Sequence, residues 1–296
     1  MGQWFESIRK RLKKINMYFI LNFFIWVRKN VIRIIFKQYP NKRLTSSFIH
    51  NTSEQKINLI TSTDNPWVSK YMFDKWTKYS ERKKVNLSIF SNQDVNNYMY
   101  ENFRNKLIYE IYKRSVIPVQ KIDIFRICFI FKIGGIWLDL KSEVNLNKVI
   151  NLYKKSNNKG FLLQEPREIE IIKDSNGNNK KSLCKVIHNG FFYLPKGSAF
   201  LNHIINKIER DFIYFQDVEF TYPKQGIMNL TGPHQFTRTF QNLNNNDRPF
   251  LVSHEEVDWI YCSKYGEYIS PFSQKKHYST LKTLKTLDSN KEIFLS

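Results

Sequence analysis

The sequence predicts an α/β domain with a mostly parallel central sheet, preceded by a basic and apolar extension. Three observations carry that expectation. Short apolar runs of strand type alternate with helical stretches after residue 43. One of those stretches is apolar almost all round and ends in a double glycine, followed at once by another strand. The first 43 residues have a composition of their own. Strands separated by helical segments are the pattern of crossover connections between parallel strands.

The elements follow in order. Ile57 to Thr61 reads as a strand, and Pro66 precedes a helical stretch containing Trp67, Met72, Phe73 and Trp76. Val85 to Phe90 is a second strand, and Asn92 begins a helical stretch running through Tyr98, Phe103, Leu107 and Ile111. Pro118 suits the first turn of a helix and Gly134-Gly135 suit its end. Further on, the polar run Asp174 to Lys181 reads as a hairpin tip between Glu168–Lys173 and Leu183–Ile187, and Trp259 and Tyr261 read as part of a core strand.

Composition narrows the function classes. The chain has 296 residues, 42% of them hydrophobic and 16% aromatic, which is enough apolar material for a sizeable core. The formal charge is +21, and residues 1 to 43 hold eleven Lys or Arg against one acidic residue, or 11 − 1 = +10. Charge concentrated beside Ile15–Val27, an apolar run of about thirteen residues, suits an anionic membrane surface. That run is shorter than the roughly 20 residues of a spanning helix. A nucleic-acid binder would spread its charge over the folded face, so no nucleic-acid partner is expected. The expected division is a basic amphipathic membrane-associating extension over 1–43, a catalytic domain over 44–285 and a C-terminal tail over 286–296. The expected location is cytoplasmic, peripheral at the inner face of the membrane. Three scattered cysteines, Cys128, Cys184 and Cys262, signal neither a disulfide framework nor a zinc site.

The chemistry-bearing stretch is residues 118 to 145, PVQKIDIFRICFIFKIGGIWLDLKSEVN. Asp123 and Arg126 interrupt an otherwise apolar helix three residues apart, and so share a face. A charge buried alone costs several kcal/mol, so the two must pair or face a polar cavity. Spacing alone is equally satisfied by an ion pair that only fixes packing. The strand Ile136-Trp137-Leu138 then ends at Asp139, and continued strand alternation would bring Asp139, Lys141 and Glu143 out on one side. A carboxylate at the carboxyl end of a buried strand suits a charged ligand.

The residues Asp123, Arg126, Phe131, Gly134, Gly135, Ile136, Trp137, Leu138 and Asp139 resemble the D-x-x-R…G-G-[IV]-[YW]-L-D signature of family 32-like retaining glycosyltransferases. Ser91–Asp94, His188-Asn189-Gly190-Phe191 and Thr231-Gly232-Pro233 support the resemblance more weakly. It implies a GT-A-type Rossmann-like fold with a mixed, mostly parallel sheet and a helical N-terminal extension. It implies a nucleotide-sugar donor, transfer with retention, and a glycan or lipid-linked acceptor, in capsule or O-antigen biosynthesis where the membrane-suited extension is considered too. Carried over, Asp123 and Arg126 hold the donor sugar and Asp139 sits near the ribose and the metal, with Gly135, Lys141 and Asn189 also on the donor. The departure is Lys141, which stands where the family's D-x-D motif has its second Asp. Either Glu143 supplies an oxygen ligand to Mn²⁺ or Mg²⁺, with Asp139 and His277, or Lys141 itself answers the diphosphate charge. The other reading of the same residues is an inactive glycosyltransferase-fold scaffold or glycan-binding protein.

Overall fold

A computed structural model describes residues 42–43, 57–63, 67–68, 70–81, 85–156, 159–173, 179–261 and 284–290. The expected membrane-associating extension lies outside these residues except for Lys42–Arg43, and so does His277. No helix among the described residues is long and apolar enough to cross a membrane.

In chain order the elements are β1 (Lys42–Arg43), β2 (Ile57–Thr63), β3 (Trp67–Val68), α1 (Lys70–Ser80), β4 (Val85–Ser91), α2 (Asn92–Phe103), α3 (Leu107–Arg114) and α4 (Pro118–Ile133). Then come β5 (Gly135–Leu138), β6 (Ser142–Glu143), α5 (Leu146–Lys155), β7 (Phe161–Lys173), β8 (Asn179–Leu194), α6 (Ala199–Phe215) and β9 (Glu219–Phe220). The remainder are α7 (Pro223–Leu230), α8 (Pro233–Asn242), β10 (Phe250–Val252), α9 (His254–Val257), β11 (Ile260–Tyr261) and β12 (Leu284–Lys285).

The main sheet has the order β10-β7-β8-β5-β2-β4. The pairings β10·β7, β2·β4 and β2·β5 are parallel, whereas β8 runs antiparallel to both β5 and β7. The sheet is therefore mixed and mostly parallel, as expected. Side chains alternate across it. Ile60, Trp137, Leu162 and Phe192 pack on one face with α2, α3, α4, α6 and α8. Leu59, Ile136, Leu138, Leu163 and Phe191 pack on the other with Trp76 of α1, Val149 of α5 and Val257 of α9. Helices thus cover both faces, which is why the central strands read as continuous apolar runs.

Several boundaries differ from the sequence reading. The stretch from Asn92 to Ile111 breaks into α2 and α3 at Arg104–Lys106. The start of α2 is fixed by a capping box, in which Ser91 and Asp94 each bond the other's backbone. Trp259 lies outside the core sheet, ahead of β11, a two-residue strand paired only with β6. Within the described part of the C-terminal segment, Leu287 is buried and bridges Ser115 and Gln216, and the Ser289 N–H donates to Asp217 Oδ1 at 3.1 Å.

The central helix α4 follows its sequence signals closely. Pro118 opens it, and Gly134, at φ 78°, closes it by donating its N–H to Ile130 O at 2.8 Å. A side chain at Gly134 would stand 2.7 Å from the backbone nitrogen of Lys196. Positive φ and a close backbone neighbour together demand glycine here.

Candidate active site

The site lies where β5 ends and β8 passes beside it. Asp139 follows the last residue of β5 and donates its N–H to Gly190 O at 2.7 Å, which locks it against β8. Arg126 reaches across from α4. Its Nη2 pairs with Asp123 Oδ1 at 3.1 Å and its Nη1 with Asp139 Oδ1 at 3.2 Å. Nη1 also donates to Asn189 O at 2.6 Å, and the guanidinium stacks over Trp137, 5.0 Å from the ring centroid. Trp137 in turn donates its indole N–H to Asp139 Oδ1 at 2.8 Å. One arginine therefore bridges two carboxylates, and the tryptophan beneath it fixes the second.

Asp123 is 3% exposed. Beyond Arg126, it accepts from Asn189 Nδ2 at 3.0 Å and from the Thr231 hydroxyl at 3.2 Å. Burial pushes its carboxyl up to about 7, against the lowering pull of Arg126, with the charge of Asp139 adding to the rise. Asp139 is the outermost of the three, with 30% of its side chain exposed. The depth order is Asp123 innermost, Arg126 between, Asp139 at the opening.

On the open side, a break in register of β7 between Gln164 and Glu168 re-aims Glu165 and Arg167. His188 Nε2 lies 3.8 Å from Glu165 Oε1, and its Nδ1 accepts from the Gly190 N–H at 3.0 Å. That bond leaves the proton of the neutral ring on Nε2. Burial lowers the affinity of His188 for a second proton. Trp259 lies between His188 and His254, edge-on to the first and tilted to the second, with ring centroids 4.9 and 4.7 Å away.

The profile of the family described as "Glycosyltransferase sugar-binding region containing DXD motif" matches residues 28–157, which include Asp123, Arg126 and Asp139. Residues 28–157 are thus similar to a glycosyltransferase sugar-binding region. Among solved structures it is similar to the PaToxG glycosyltransferase, at 14% identity over 72% of this chain and 79% of that one, with a TM-score of 0.40. It is also similar to the UDP-bound glycosyltransferase domain from the YGT toxin. There the identity is 10%, over 60% of this chain and 54% of that one, with a TM-score of 0.32. No curated protein matches the chain.

The structure joins Asp123, Arg126 and Asp139 of the matched region and Asn189 of β8 into one hydrogen-bonded group, and it sets two of them deeper than expected. Asp123 and Asn189 face each other inside the protein rather than the opening. Gly135 also moves out of the donor-binding set. It starts β5, at the far end of the strand from Asp139. A side chain there would stand 2.7 Å from Ile60 Cδ1 and 2.8 Å from Asn58 O, so its smallness serves close packing on β2. Sequence reasoning named Thr231, Trp137 and His188 as motif residues without a role in the site, and missed Glu165 and the edge-on His188–Trp259 contact. The role of Trp137 was findable, because residues two apart on a strand share a face. The others depend on contacts between elements distant in sequence.

The expected strand alternation through Asp139, Lys141 and Glu143 does not hold. The Ser142 N–H donates back to Asp139 O at 2.8 Å, so the chain turns at Leu140-Lys141 before Glu143 enters β6 opposite Ile260. Divalent cations such as Mg²⁺ take several oxygen ligands. Among the described residues no group of three or more His, Cys, Asp or Glu gathers in metal-binding geometry, and Asp139 Oδ1 is already shared by Arg126 and Trp137. Of the expected metal set, Asp139 and Glu143 are therefore not aligned by strand alternation, and His277 lies outside the described residues.

The raised carboxyl of Asp123 sets a pH dependence. Between the ordinary aspartate range near 4 and about 7, the folded state holds this proton and the unfolded state does not. Stability contributed by this group is full at the acid end, falls as pH rises through that window, and is flat above it. Thermal melts of wild type and Asp123→Asn from pH 4.5 to 8 should differ in slope by this component. Parallel curves would show that Asp123 is ionised throughout.

Proposed function

We propose that the protein is a retaining glycosyltransferase that moves a sugar from a nucleotide-sugar donor to a glycan or lipid-linked acceptor. The observation that carries this reading is the bridged trio Asp123–Arg126–Asp139, with its one accessible carboxylate at the carboxyl end of β5, inside the matched sugar-binding region. Open α/β sheets bind ligands at that end of their strands.

In this reading Asp139 contacts the donor. Arg126 and Trp137 hold its carboxylate in a single orientation, and Asp123 and Asn189 hold Arg126. A group positioned in advance lowers the barrier because no reorganisation is needed when charge develops. During transfer the bond from the anomeric carbon to the diphosphate oxygen breaks, and its electron pair stays with the diphosphate. The acceptor oxygen bonds to the anomeric carbon from the same face, and its proton passes to the diphosphate. Retention comes from the family resemblance. The basic apolar stretch at residues 1–43 supports a membrane-borne acceptor of the capsule or O-antigen type, with the protein peripheral at the cytoplasmic face.

The reading is tested by offering purified protein a panel of UDP-, GDP- and CMP-sugars and measuring nucleotide release without acceptor. Saturable release from one donor, competed by the nucleotide it releases, is the expected result. If no donor is bound or cleaved, the scaffold alternative replaces it.

A further inference from the structure

Resting on the transferase reading, we propose that Lys141, not a divalent cation, answers the charge on the departing diphosphate. The turn that presents it is held by the buried ammonium of Lys75.

Four oxygens of this turn, Asp139 O, Asp139 Oδ1, Leu140 O and Ser142 O, are already accepting. Lys75, only 8% exposed, donates from Nζ to Leu140 O at 2.8 Å and to Ser142 O at 3.0 Å. The Trp76 indole N–H donates to Leu140 O at 3.3 Å. Asp139 O accepts from the Ser142 N–H, and Asp139 Oδ1 accepts from Arg126 and Trp137. A hard cation entering here would have to displace these donors and approach two lysine ammonium groups at the same time. Both costs oppose its binding.

The same contacts suit an anion. Lys75 and Trp76 grip the carbonyls on either side of Lys141, so the backbone of the turn is fixed. The Lys141 side chain is partly exposed and makes no hydrogen bond or ion pair among the described residues. An ammonium on a fixed backbone beside the accessible Asp139 carboxylate is placed to bind diphosphate oxygens as a point charge. The Lys141 side chain takes no part in the proton transfer. It donates hydrogen bonds to the leaving oxygens while the acceptor's proton goes to the diphosphate, so the step balances without a metal.

The test measures UDP and GDP binding by calorimetry, with EDTA or with Mn²⁺, on wild type, Lys141→Met and Lys141→Arg. Wild-type affinity for the nucleotide that binds should be the same within about twofold in EDTA and in Mn²⁺. Lys141→Met should lose about tenfold or more, and Lys141→Arg should recover most of that loss, because the charge is what matters. A wild-type affinity that falls tenfold in EDTA and returns with Mn²⁺ overturns the inference and leaves the transferase reading standing. So does a Lys141→Met variant that binds as wild type does. If neither nucleotide binds to any form, the transferase reading falls and the inference falls with it.

Discussion

Arg126→Met is expected to lower both stability and turnover sharply. The guanidinium stands between two carboxylates, at 3.1 Å from Asp123 and 3.2 Å from Asp139, and is itself 4% exposed. Removing it leaves Asp123 buried without its counter-charge and facing the like charge of Asp139. Breaking a buried pair on one side costs about 3–5 kcal/mol. In a domain of this size that corresponds to a fall in melting temperature of roughly 6 °C or more. Donor cleavage should drop by roughly 10²–10³-fold, since Asp139 loses the group that orients it. Adding Asp123→Asn to this variant should restore part of the stability, because the stranded charge is gone, and little of the activity. A single variant that melts within a degree of wild type would show that Asp123 keeps its proton and its place without Arg126.

Gly190→Ala is expected to separate activity from folding. The backbone of Gly190 is not in the left-handed region, so alanine is not excluded by conformation. Its methyl group would nevertheless overlap Asp139 Oδ2, and would stand 2.9 Å from Asp139 Cγ and 2.5 Å from His188 Cε1. The atoms it meets are side-chain ends, so the fold can yield by turning them aside. The Asp139 carboxylate then leaves the position that Arg126 and Trp137 hold, by about 1 Å, and displacements of that size cost about 10²-fold in rate. Donor cleavage should fall by about that factor, while the melting temperature shifts far less than for Arg126→Met. Unchanged turnover would place the reacting geometry elsewhere than at Asp139 Oδ2.

The legible part of this site was the part written within one short stretch. Asp123 and Arg126 are three residues apart on one helix, and the Gly134-Gly135 break delivers Asp139 a fixed number of residues later. Helical period and strand alternation were enough to place those three together. The same alternation misled one turn later, because the Ser142 N–H bonds Asp139 O and bends the chain. Nothing in the sequence of the turn announces that bond. Its cause lies about 65 residues away, where Lys75 and Trp76 on α1 pull the carbonyls of Leu140 and Ser142 toward themselves. Trp259 shows the same limit. Its hydrophobicity read as core strand, yet it is a half-buried ring at the core's edge that meets His188 edge-on and His254 at a tilt.

The sequence by itself determined that this is an α/β domain with a mostly parallel sheet, that α4 is buried, and that two opposite charges on its face must pair or face a polar cavity. Those conclusions rest on local periods and on the cost of burying a lone charge, which hold wherever the helix packs. Tertiary structure alone decided which carboxylate is accessible. The apolar packing of α4 under β5 and β8 sinks Asp123 against Asn189 and Thr231, and leaves Asp139 at the rim. It also decided that the carbonyls of Leu140 and Ser142 on either side of Lys141 are already taken, because hydrogen bonds between distant elements depend on where the sheet and helices come to rest. Neither residue spacing nor composition carries that information.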